Sequence, residues 1–197
     1  MNNQPDYFTA TNKAYEILAN VYPFRLETDI FKIISRHSNI VVHPYSKIAQ
    51  KFNMSNQEFL DSVSSKYGFT IDPRTETYEI WYNGTMDTSV IRFTLAHELG
   101  HILLGHTEDN DVSRKEASCF ARNLLCAIPI IDELEIQTIS DIIYVFDVSE
   151  QMAEVSTNHF TSDRYYIKKD LYNYLRDKTA AYMYGYSLEE LWGVSYA

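Results

Sequence analysis

Two histidines four residues apart, with a glutamate directly after the first, form the string His97-Glu98-Leu99-Gly100-His101. On an α-helix, residues i and i+4 lie on one face one turn apart, so both imidazoles can be aimed at a single point. Neutral imidazole is a good zinc ligand, and a catalytic zinc site keeps one position for water. Glu98 flanks that point without needing to bind there. It can take a proton from a zinc-bound water whose pKa the ion lowers to about 7. This is the mechanical content of a His-Glu-x-x-His string. The flanks, Phe93-Thr94-Leu95-Ala96 and Ile102-Leu103-Leu104, make the helix apolar on most sides and therefore buried. Two histidines and a glutamate buried without partners are costly, and a metal resolves that cost. Gly100 costs about 1 kcal/mol of helix propensity relative to Ala, which is tolerable where another backbone packs against it.

A catalytic zinc takes three protein ligands, so a third must come from elsewhere in the chain. His106 is one candidate. The longer signature His-Glu-x-x-His-x-x-Gly-x-x-His needs Gly at 104 and His at 107, where this chain has Leu104 and Thr107. Gly105 and His106 are thus one residue out of register, which favours a loop or supporting role for His106. Asp109 and Asp111 offer carboxylates from an acidic loop, but nothing fixes their direction. Glu116 is better placed. It is a carboxylate on a helix face otherwise carrying Phe120, Asn123 and Leu124.

The elements that must position these groups are legible in outline. Helical spacing of apolar residues marks 12–21 and 28–37, and Asn39 to His43 reads as a short strand stopped by Pro44. Short helices follow at 46–53 and 56–65, the second with a capping box from Ser55 and Glu58. Residues 67–72 and 76–82 read as a hairpin turned by Asp72-Pro73-Arg74-Thr75. The motif helix spans about 89–104, capped by Thr88 or Ser89 and stopped at Gly105. Further helices are expected at 114–127, 132–146, 149–158 and 166–184. Helices, a small three-stranded sheet, then helices again point to a mainly helical α+β fold. The expected division is 1–38 as N-terminal helices, 39–160 as the domain carrying the motif, and 161–197 as a helical tail.

Composition narrows the function classes. The chain of 197 residues is 45% hydrophobic and 22% charged, which is ordinary for a globular protein able to bury a core without staples. The net charge of −10, with no basic stripe, argues against direct nucleic-acid binding. The helix-turn-helix outline at 46–65 carries Glu58 and Asp61 where a groove-reading helix needs Arg, Lys, Asn or Gln. Cys119 and Cys126, seven apart in an apolar stretch, read as buried thiols in a reducing compartment. Met1 to Asp6 has no basic or apolar leader pattern, and no apolar run is long enough to cross a bilayer. A soluble, cytoplasmic protein is expected.

Arg92 to His106, Lys115 to Leu125 and Tyr82-Asn83 together resemble the ImmA/IrrE family of zincin-like metallopeptidases over about 40–158. One departure is visible: that family often has Pro at or just after the Leu-Leu pair, whereas Cys126-Ala127-Ile128 precede Pro129 here. The resemblance implies a single catalytic Zn2+ held by His97, His101 and Glu116, with Glu98 as the base. It also implies specific cleavage of a helix-turn-helix transcriptional repressor. An acidic surface suits a basic partner. Two other readings stand beside it. A non-catalytic zincin-fold regulator would bind its repressor without cutting, and intact Glu98 argues against that. A zinc hydrolase with a non-protein substrate would need a closed pocket rather than a groove along a sheet edge.

Overall fold

The computed structural model describes residues 4–71 and 77–193. Its elements are α1 (Tyr7–Asn20), α2 (Ile30–Ile34), β1 (Ile40–Pro44), α3 (Tyr45–Lys51), α4 (Asn56–Ser62), β2 (Gly68–Ile71) and β3 (Tyr78–Tyr82). Then come α5 (Thr88–Leu103), α6 (Asp111–Leu125), α7 (Ile128–Glu133), α8 (Ile139–Phe146), α9 (Glu150–Arg164), α10 (Lys169–Tyr184) and α11 (Leu188–Trp192). The fold is α+β and mainly helical, as expected, with one three-stranded sheet ahead of the motif helix. Among the described residues no helix is long and apolar enough to cross a membrane.

The sheet has the order β1-β3-β2. β1 runs parallel to β3, with Ile40 opposite Tyr78, and β2 runs antiparallel to it, with Thr70 opposite Ile80. The turn expected at Asp72-Pro73-Arg74-Thr75 lies outside the described residues. Alternation sends Ile80 into the main core and Trp81 to the other face, where it joins Tyr45, Ala49 and Phe59. The helix-turn-helix outline therefore turns its apolar side onto the sheet. Its second helix is held by the expected capping box, in which the Ser55 amide donates to Glu58 Oε2 at 2.7 Å and the Glu58 amide to Ser55 Oγ at 3.2 Å.

The main core draws on residues from Ala10 on α1 to Leu175 on α10. Its centre is the contact of α5 with α6. A Cβ built on Gly100 would lie 2.9 Å from Phe120 Cδ1 and 3.2 Å from Ala117 Cα, so the missing side chain is what lets the two helices approach. Arg92, 4% exposed, anchors the other half of α5. Its guanidinium donates to the carbonyls of Thr28 at 3.0 Å and Phe146 at 2.9 Å, and to that of Asp147, closing the C-terminus of α8.

Several helix boundaries differ from the sequence reading: α1 begins at Tyr7 rather than 12, α2 covers only Ile30–Ile34 of 28–37, and α9 runs to Arg164 rather than 158. α6 starts at Asp111 because Asn110 caps it, its Oδ1 accepting from the Val112 and Ser113 amides at 3.0 Å each. The helix expected at 132–146 is two, α7 and α8, separated where Glu135 takes a left-handed φ of 52°. Pro129 lies in the first turn of α7 rather than merely ending α6, as suits a residue without an amide proton. Both cysteines are buried and unpaired, as expected.

Candidate active site

The geometry begins with α5 against β2. Gly68 meets Thr94 so closely that an added Cβ would lie 2.5 Å from Thr94 Cγ2. One turn further along α5, the Thr70 hydroxyl donates to Glu98 Oε2 at 2.7 Å. Four helical residues and two strand residues both advance about 6 Å, so the second contact follows from the first. Glu98 is thereby fixed by the strand that precedes its helix. Burial raises its pKa, and hydrogen bonding from Thr70 opposes part of that rise.

His97 and His101 lie one turn apart, edge to face, with Nε2 atoms 3.1 Å from each other. In a tetrahedral zinc site with Zn–N of about 2.0–2.1 Å, two ligand nitrogens stand about 3.3–3.4 Å apart. The two Nε2 atoms therefore already span nearly one edge of such a tetrahedron. Burial, and then the neighbouring His101, push the pKa of His97 down to about 4. Burial, and then His106, lower that of His101. Both rings are neutral at pH 7, the form in which imidazole binds a metal.

The outer nitrogens are engaged as well. His97 Nδ1 is 3.3 Å from Ser118 Oγ on α6, and His101 Nδ1 is 3.0 Å from His106 Nδ1. His106 Nε2 lies 2.7 Å from Glu116 Oε2, and the Asp6 amide donates to Glu116 Oε1 at 2.6 Å. The four expected residues thus fall in two places. His97, His101 and Glu98 sit together on α5, as the spacing requires. Glu116 comes from α6 to the same cluster but is joined to the imidazole pair through His106.

The fit to a metal is correspondingly divided. The two Nε2 atoms suit an ion. Among the described residues, however, no set of three or more His, Cys, Asp or Glu side chains is gathered around one point. Asp109 and Asp111, the other carboxylates considered, both pair with Arg114 and are 72% and 85% exposed, so the acidic loop turns them to solvent.

His106, read from the sequence as a loop or supporting residue, takes its place from the end of α5. Gly105, with φ 71°, ends α5 in a left-handed turn. The His106 amide then donates to the His101 carbonyl at 3.0 Å and the Gly105 amide to Ile102 at 3.1 Å. This is the Schellman arrangement, in which the second residue beyond the helix folds back onto the third from its end, commonly through an apolar contact. Here the two residues are His106 and His101. The Gly-His pair that failed the longer signature by one residue thus meets His101 from its Nδ1 side. The usable signal was Gly105 followed by a polar residue that could fold back.

Residues 49–155, more than half of the chain, match the family model of the IrrE N-terminal-like domain, a peptidase family. No curated protein matches.

Proposed function

The chain belongs to the IrrE N-terminal-like domain family of peptidases, and we propose that it is a zinc-dependent endopeptidase cleaving a helix-turn-helix transcriptional repressor. In this reading His97, His101 and Glu116 hold the ion, and Glu98 is the general base. The observation that carries it is the pairing of two half-buried, neutral imidazoles, Nε2 to Nε2 at 3.1 Å, beside a half-buried carboxylate.

Zinc, when bound, supplies Lewis acidity that makes water nucleophilic near neutral pH and polarises the scissile carbonyl. The remaining work falls to the chain. Glu98, its basicity raised by burial, takes the proton of the attacking water and passes it to the departing amine. Thr70 holds that carboxylate in place through its hydroxyl. Ser118 and His106 orient the two imidazoles from behind. Among the described residues β2 pairs with no strand but β3, so it has an unpaired strand edge to which an extended peptide can add. Thr70 touches Glu98 from that strand, so a peptide added there would pass beside the base. This favours a protein substrate over an enclosed small molecule.

The test is incubation of the zinc-loaded protein with the helix-turn-helix repressor encoded nearest its gene. Cleavage is expected, and Glu98→Gln should slow it at least about 10²-fold while retaining the metal. Cleavage undiminished in that variant would remove Glu98 from its role. A repressor bound but never cut would favour the non-catalytic regulator.

A further inference from the structure

His106 is in contact with both His101 and Glu116, and its side chain is 10% exposed. A neutral imidazole has one N–H and one acceptor nitrogen, so the direction of this chain of contacts is constrained. The carboxylate of Glu116 accepts only, so His106 Nε2 must donate to it across 2.7 Å. In the neutral ring, Nδ1 is then a bare lone pair. Its 3.0 Å contact with His101 Nδ1 requires His101 to carry its proton on Nδ1. That leaves the lone pair of His101 on Nε2, the nitrogen facing His97. The Schellman turn at Gly105 holds His106 in this place by backbone bonds alone, without help from its ring.

We propose that His106 is a positioning residue of the metal site: accepting from His101 at Nδ1 and donating to Glu116 at Nε2, it fixes the His101 tautomer that offers Nε2 to the ion. The inference rests on the reading of His97 and His101 as ligands. Glu116 meets His106 through Oε2 and the Asp6 amide through Oε1, and each carboxylate oxygen has a second lone pair to offer an ion. His106 itself is no ligand here, because its Nδ1 meets the side of His101 that faces away from His97.

Two measurements on the full chain test this. Imidazole 1H–15N NMR of the zinc-loaded wild type should show His101 protonated at Nδ1 and His106 protonated at Nε2. Protonation of His106 at Nδ1 overturns the proposal without any variant. Zinc affinity by competition with a chromophoric chelator should fall about 10–100-fold in His106→Phe, which keeps the ring and loses both hydrogen bonds. His106→Gln, whose amide can accept and donate across a similar span, should recover most of that loss. Wild-type affinity in a folded His106→Phe overturns the proposal. Equal loss in both variants also overturns it, since the imidazole would then act by more than hydrogen bonding. A wild-type protein that binds no zinc sinks the metallopeptidase reading itself, a result distinct from either.

Discussion

Two polar assemblies are buried against α6, and they are built on opposite plans. Toward its C-terminal end, Arg122 Nη2 and Nε donate to Asp163 Oδ2 at 2.7 and 3.0 Å, with side chains 9% and 4% exposed. Asn123 joins them, donating to Asp163 Oδ2 at 3.2 Å and to the Cys119 carbonyl at 3.0 Å while accepting from the Tyr15 hydroxyl at 2.7 Å. Tyr15 in turn accepts from the Ile128 amide at 3.2 Å. Opposite charges meet, donors find acceptors, and the cluster ties α1, α6 and α9 together. Toward the N-terminal end of α6, two imidazoles turn like atoms toward each other, and burial drives both to the neutral form. The outer nitrogens are satisfied and the inner pair is left for something else. A saturated polar cluster holds a fold; one with convergent ring nitrogens is organised for a ligand.

The comparison can be broken most sharply at the saturated cluster. Arg122→Ala leaves Asp163 buried without its cation, and should cost about 3–5 kcal/mol by urea denaturation. Zinc stoichiometry should be unchanged wherever the variant is folded. Simultaneous loss of zinc would mean that the two clusters are one unit. Gly100→Ala probes the helix contact between them. Alanine gains about 1 kcal/mol of helix propensity, but its Cβ would crowd Phe120 and the Ala117 backbone. Overpacking should win, for a net loss of about 1–2 kcal/mol and weaker zinc binding. A stabilised variant would show that the helices separate freely.

The last test concerns pH. His97 has a folded pKa of about 4 against an ordinary 6.5, so it contributes stability that is present above pH 6.5 and lost as pH falls toward 4. Zinc-free protein should lose on the order of 2–3 kcal/mol over that window from this site, by urea denaturation at each pH. His97→Asn should flatten the profile. An unchanged slope would place the titrating group elsewhere.

Much of the fold and half of the site were readable without coordinates. Spacing alone put His97, Glu98 and His101 on one helix, Gly100 at a close approach and Gly105 at the stop, because each depends on helix geometry within a few residues. The break between α7 and α8 was not readable, since the apolar pattern runs through Ile136 and the left-handed turn falls on Glu135. The α11 capping box of Ser187 and Glu190 was present in the sequence but overlooked.

What the sequence by itself determined is local: which side chains share a helix face, where helices are capped and stopped, and that two imidazoles must converge. What only the tertiary structure decided is which distant groups meet them. The Asp6 amide reaches Glu116 across 110 residues, and the Thr70 hydroxyl reaches Glu98 from a strand. Such contacts depend on how α1, α5, α6 and β2 pack, and packing is set by the shape of the whole core rather than by any spacing along the chain.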